Sequence, residues 1–80
     1  MEQVFVVIEQ SYCDGIMSWA FEDEGDAKTF VSGRMEYDKQ DLIAQGYTPI
    51  VTESCVTCEE HRDDIFFEYW IDDTELFRRN

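Results

Sequence analysis

Basic side chains are scarce in this chain: six Lys and Arg stand against nineteen Asp and Glu, leaving a formal charge of −13 over 80 residues. Phosphate binding draws on Lys and Arg that neutralise the backbone, so direct nucleic-acid binding is excluded on that count. An anionic membrane surface is excluded on the same one. The charge-driven partner that remains is a basic protein surface. Histidine occurs once, at His61, and proline once, at Pro49. Cysteine occurs three times, at Cys13, Cys55 and Cys58, and an odd count argues against a complete disulfide framework. Long apolar runs are missing too: no window approaches the roughly 20 residues of a membrane span. The start Met1-Glu2-Gln3 has no basic region ahead of its apolar stretch, which Glu9 interrupts, so no secretory signal is read there. A cytoplasmic location is the expectation, with thiols kept reduced.

What is present is apolar bulk. Six Phe, four Tyr and two Trp, with a run such as Val4-Phe5-Val6-Val7-Ile8, supply enough volume for one packed core. Disordered acidic chains lack such residues. Residues 1–80 therefore read as a single small acidic domain, which buries about 60–65% of the surface its unfolded form exposes.

Residues 3–11 predict a strand, with Val4, Val6 and Ile8 on one face and Phe5 and Val7 on the other; apolarity on both faces marks a central place in a sheet. Asp14-Gly15 predicts a hairpin turn. Residues 16–22 then alternate, with Met17, Trp19 and Phe21 on one face. The acidic stretch Glu22–Asp26 opens a helix, with Asp26 as cap, and Ala27, Phe30, Val31 and Met35 form its apolar stripe. Gly33 weakens the helix by roughly 1 kcal/mol against Ala, and the stripe fades after Tyr37-Asp38, so a break near residues 36–40 is expected, with Gly46 as the stop. Tyr47 to Thr57 predicts a third strand starting after Pro49, and Phe66–Ile71 a fourth. Asp72-Asp73-Thr74 reads as the cap of a short terminal helix through Glu75-Leu76-Phe77. The order is β-β-α-β-β: an α+β fold with one main helix on an antiparallel sheet of about four strands.

The strand Val4–Ile8, the Asp-Gly turn, and Ala20-Phe21 leading through acidic residues into Ala27-Lys28-Thr29-Phe30 resemble a group of small uncharacterised bacteriophage proteins. These share a strand, a hairpin, a phrase of the type F-S-T-K-E-K-A entering a helix, and closing strands. The resemblance implies the fold and, for a phage-encoded chain, a host-cell cytoplasm; it carries no catalytic residues. Where that group has basic residues at the helix entry, this chain has Glu22, Asp23, Glu24 and Asp26.

Cys55-Val56-Thr57-Cys58-Glu59-Glu60-His61 is the one place where soft metal ligands stand close together. Cys55, Cys58 and His61 have zinc-like spacing, with Cys13 as a fourth candidate. Zinc sites normally pair two such knuckles, and only one is present. If the helix runs antiparallel to its flanking strands, Cys13 and the Cys55–Asp64 loop lie at opposite ends of the sheet. A redox thiol needs a helix N-terminus, whereas Cys55 ends a predicted strand and its carboxylate neighbours raise thiol pKa values. A polar loop with partly buried cysteines is the plain alternative, and no cofactor is expected. No glycine elbow flanks a serine and no phosphate-cradling loop occurs, so no enzymatic role is read.

The acidic residues are spread over every element. Carboxylates on a rigid fold can follow the phosphate rows of a duplex, because a helical turn of about 5.4 Å and a two-residue strand step of about 6.7 Å suit that task. The leading expectation is thus a DNA-mimic inhibitor of a host nucleic-acid-handling protein, of anti-restriction or anti-CRISPR type. Its contacts would be Glu22, Asp23, Glu24, Asp26, Glu36, Asp38 and Asp41. The alternatives are a small accessory or assembly protein that dimerises through its sheet, given Phe67, Tyr69 and Ile71 alternating with Phe66, Glu68 and Trp70, and a zinc or thiol site at Cys55, Cys58 and His61. Monomer and homodimer both stay open.

Overall fold

A computed structural model describes residues 3–75. Its elements are β1 (Gln3–Ser11), β2 (Gly15–Phe21), α1 (Glu24–Ala44), β3 (Pro49–Val51), β4 (Cys55–Cys58), a 3-10 turn at Glu59–His61, and β5 (Phe66–Glu75). The strands form one sheet in the order β2-β1-β5-β4-β3, with every pair antiparallel. The helix crosses one face. The architecture is α+β with one main helix, as expected, and the sheet has five strands rather than about four.

Local chemistry sets the connections. Gly15 takes a φ of +75° in the first hairpin, and the Ser11 hydroxyl accepts a bond from the Asp14 N–H at 3.0 Å. Asp23, not Asp26, caps α1: its Oδ1 accepts from the N–H groups of Gly25 at 2.6 Å and Asp26 at 3.3 Å. At the other end Gly46 adopts a φ of +91°, Gly46 N–H donates to Ile43 and Tyr47 N–H to Leu42, both at 3.0 Å. Those two bonds are the Schellman stop that Gly46 predicts.

Three further expectations are corrected. The helix runs unbroken from Glu24 to Ala44, because the core-facing stripe continues through Asp38, buried and bonded to Tyr69, to Leu42. The third strand is a hairpin: Thr52 N–H donates to Cys55 carbonyl at 2.9 Å, folding residues 47–57 back into β3 and β4, with Pro49 on the sheet-edge strand β3. Asp72, Asp73 and Thr74 do not cap a helix, since they pair with Val6, Phe5 and Val4 inside β5. The rest of that expected helix, Leu76-Phe77, lies outside the described residues.

The core joins Val7, Ala27, Met35, Leu42, Val56, Cys58, Phe67 and Tyr69. Trp19 and Phe21 pack on Phe30 at ring-centroid distances of 4.8 and 5.2 Å. Odd-numbered positions of β1 thus meet the helix, and Val4, Val6 and Ile8 face the other way, half-buried. No described helix is long and apolar enough to cross a membrane.

Candidate functional site

Cys55 and Cys58 sit in one extended strand. Three residues apart, their side chains leave opposite faces of the sheet: Cys58 is buried beneath the helix, and Cys55 shares the outer face with Glu68. A knuckle needs a turn at this point, and the strand removes it. Burial pushes the Cys55 thiol upward, Glu68 adds to this, and a backbone bond at Phe67 opposes it. His61 packs edge-on to Tyr47 with ring centroids 5.2 Å apart. The first hairpin and the 59–64 segment lie at the same end of the sheet, not at opposite ends, because residues 47–58 double back; Tyr12 N–H reaches the Phe66 carbonyl at 3.2 Å. Even so, among the described residues no three His, Cys, Asp or Glu side chains are gathered to hold a metal ion.

The seven expected acidic contacts separate. Glu22, Asp23, Glu24 and Asp26 are exposed together at the β2–α1 junction. Across the sheet from that junction, register places Asp73 beside Phe5 on the helix-covered face and Asp72 beside Val6 on the outer face, with Phe21 and Ala20 on the far side of β1. Six carboxylates therefore share one end of the fold, with Lys28 bridging to Glu24 at 3.5 Å. Glu36 and Asp41 are exposed elsewhere on the helix. At about 100° per residue they lie roughly 80° and 60° to either side of Asp26, so the helix acids form no single row. Asp38 is withdrawn altogether, only 4% exposed.

Asp38 belongs instead to a polar group between helix and sheet that sequence reasoning missed. Tyr69 hydroxyl contacts Asp38 Oδ2, and lies 3.2 Å from Glu9 Oε2. Arg34 Nη2 donates to Glu9 Oε1 at 2.8 Å, and its guanidinium stacks over the Trp19 ring, 4.9 Å from the centroid. Arg34 Nε is buried without a partner. Burial pushes the Asp38 carboxyl up to about 6, against the opposing Tyr69 bond and with Glu9 adding to it. Tyr69 is raised by burial and by the Asp38 bond. One phenolic proton cannot serve two carboxylates. Below about pH 6 Asp38 carries its own proton and the Tyr69 hydroxyl is free to donate to Glu9; above it Tyr69 donates to the Asp38 carboxylate, and Arg34 balances the charge of Glu9.

The signal for this group lies in the pattern: Glu9 continues the core-facing series Phe5, Val7, and Arg34 and Asp38 fall in the helix stripe between Phe30, Met35 and Leu42. Polar residues at those places end the apolar periodicity without ending the helix.

Beside the group runs a groove of about 790 Å³ between α1, the β3–β4 turn and β5. Val31, Met35 and Ile71 line it, with Lys28, Lys39 and Glu53 among its charged residues. Tyr69 reaches it from below, but its hydroxyl is turned to Asp38 and Glu9. Comparison of the chain with protein-family models, with curated proteins and with solved structures finds no match.

Proposed function

We propose that this protein is a non-enzymatic interaction module whose acidic end engages a basic surface of a nucleic-acid-handling protein, in the manner of a DNA-mimic inhibitor of anti-restriction or anti-CRISPR type. The observation that carries the reading is the gathering of Glu22, Asp23, Glu24 and Asp26 with Asp72 and Asp73 at one end of a rigid sheet. Asp23 is held by its capping bonds, and strand pairing sets Asp72 and Asp73, so these charges meet a partner with little ordering left to do. Net charge of −13 speeds encounter with a cationic target and makes binding salt-sensitive. Relative to the set expected from sequence, Asp72 and Asp73 join, Asp38 leaves, and Glu36 and Asp41 stand apart.

The test is retention of proteins from a bacterial lysate at low and high salt, with a variant reversing Glu22, Asp23, Glu24 and Asp26 to Lys beside the native chain. A nucleic-acid-handling protein held at low salt, released at high salt and lost with the variant supports the reading. Retention indifferent to salt and to the reversal overturns it.

A further inference from the structure

The helix covers one face of the sheet, and no described element packs on the other. That outer face carries Val4, Val6, Ile8, Ile16, Phe66 and Trp70, with Ile16 69% and Trp70 41% exposed. We propose that it is a self-association surface on which a second copy of this chain docks face to face.

The relief of the face selects that occupant. Cross-strand register sets Ser18, Ile8 and Trp70 in one row, and Ala20, Val6 and Asp72 in the next. Each row is low at β2, where Ser18 and Ala20 are small, and β5 carries the tall Trp70 ring. A two-fold axis along β1 lays β5 of each copy over β2 of the other. Trp70 of one copy then enters the low ground at Ser18 and Ala20 of the second, and Val6 and Ile8 of both meet on the axis. An isologous contact needs this self-complementarity, and two sheets of one twist stack in the aligned manner about 10 Å apart. Charge weakens the contact without placing like charges face to face: Glu68 and Asp72, exposed in the single chain, lose part of their hydration in the pair. The carboxylates of the face, Glu68 and Asp72 on β5, come to lie over β2, opposite Ile16 and Ala20 rather than over each other. A basic partner would instead set its cations over Val6 and Ile8.

Three strands of about seven residues cover roughly 15 Å by 23 Å, so each copy contributes a few hundred Å². That is below the roughly 800 Å² per partner of a standard interface, so the dimer is a weak, transient one that forms only at high protein concentration. Its salt response is opposite to that of the acidic end. Two chains of −13 repel, and screening, from a Debye length of about 10 Å at 0.1 M to about 3 Å at 1 M salt, removes the repulsion while leaving the apolar contact.

Sedimentation equilibrium of the full chain, over protein concentrations from roughly 10 µM to about 1 mM, reads the association directly. Expected is a mass rising from one chain toward two with concentration, and rising further in high salt. Ala20→Arg, at an exposed position of an edge strand, fills the low ground and lowers the association constant about tenfold or more. Circular dichroism confirms that this variant is folded, and Trp70→Ala, which removes the ridge instead, gives a second reading with the same expected loss. A monomer at every concentration and salt overturns the proposal. So does a dimer that weakens with salt, or one that both variants leave intact. Asp72 alone is common to this face and the acidic end, and the two readings fail separately: reversal of Glu22, Asp23, Glu24 and Asp26 abolishes partner capture yet leaves this dimer in place, and Trp70→Ala, which keeps all six carboxylates of that end, does the converse.

Discussion

Replacing Asp38 by asparagine isolates the buried carboxyl that the fold holds protonated up to about pH 6. In the native chain Asp38 titrates at about 6 against an ordinary 3.8, chiefly because burial disfavours its charge. The folded state therefore binds this proton more tightly than the unfolded one. Between those two values stability falls as pH rises; the contribution is complete below about pH 4 and gone above about pH 6. The whole difference is at most about 3 kcal/mol at 1.36 kcal/mol per unit, and Asp38, 4% exposed, is shielded enough for most of it to be felt. From about pH 5 to about pH 7.5 the same two values give a loss of roughly 1.4 kcal/mol. The asparagine amide keeps a donor for the Tyr69 oxygen and carries no titration. Urea unfolding at both pH values, followed by Trp19 and Trp70 fluorescence, compares the two proteins. The native chain should lose about 1.4 kcal/mol relative to Asp38→Asn across that interval, a midpoint change of about 1.4 M for a slope near 1 kcal/mol/M. A difference flat in pH refutes the retained proton. A difference growing in favour of Asp38 at high pH shows that it works as a carboxylate accepting from Tyr69.

Three further outcomes follow from the same structure. Arg34→Met strands the Glu9 carboxylate, 2% exposed, and should destabilise by about 3 kcal/mol, with much of the loss recovered when Glu9→Gln is added; thermal melts of the single and double variants check this. Gly46→Ala forces a Cβ into a φ of +91° and should cost about 1–2 kcal/mol, lowering Tm by roughly 5–10 °C. Cys13 is exposed and Cys58 buried, so a thiol reagent should modify Cys13 in the native protein and Cys58 only after denaturant is added, with mass spectrometry of digests reading the order.

Much of the fold was legible where a few adjacent residues decide the matter. Asp14-Gly15 announces its turn and Gly46 its stop, and the faces of β1 and β2 follow from alternation. The Thr52–Ser54 turn was not legible, since Thr-Glu-Ser carries neither glycine nor proline and the hairpin closes through a backbone bond to Cys55. Asp72-Asp73-Thr74 has the composition of a helix cap, yet pairing with β1, distant in sequence, draws it into a strand, where Gln3 Nε2 donates to Asp73 Oδ1 at 2.9 Å. The acidic end was half visible: Glu22–Asp26 stand together in sequence, while Asp72 and Asp73 reach them only through sheet register. Cys55-x-x-Cys58 looked like a knuckle because spacing alone cannot distinguish a turn from a strand.

The register of the fold predicts a selecting role for the buried group, apart from any gain in stability. β1 is apolar on both faces, with Phe5 and Val7 against Val4, Val6 and Ile8, so hydrophobic burial alone barely prefers one face for the helix. A slip of one residue exchanges the faces. It also carries Glu9 away from Arg34 and Tyr69, leaving ionised groups unpaired, which is far more unfavourable than moving a valine. Polar residues in a core can thus secure uniqueness at some loss of stability. The triple variant Glu9→Leu, Arg34→Met, Asp38→Leu separates the two effects. Its urea stability should equal or exceed that of the native chain by about 1–3 kcal/mol, while its amide NMR spectrum broadens or doubles as helix and sheet sample more than one register. A triple variant that keeps a single sharp set of amide resonances refutes the selecting role and leaves apolar packing around Val7, Leu42 and Val56 sufficient to choose the face.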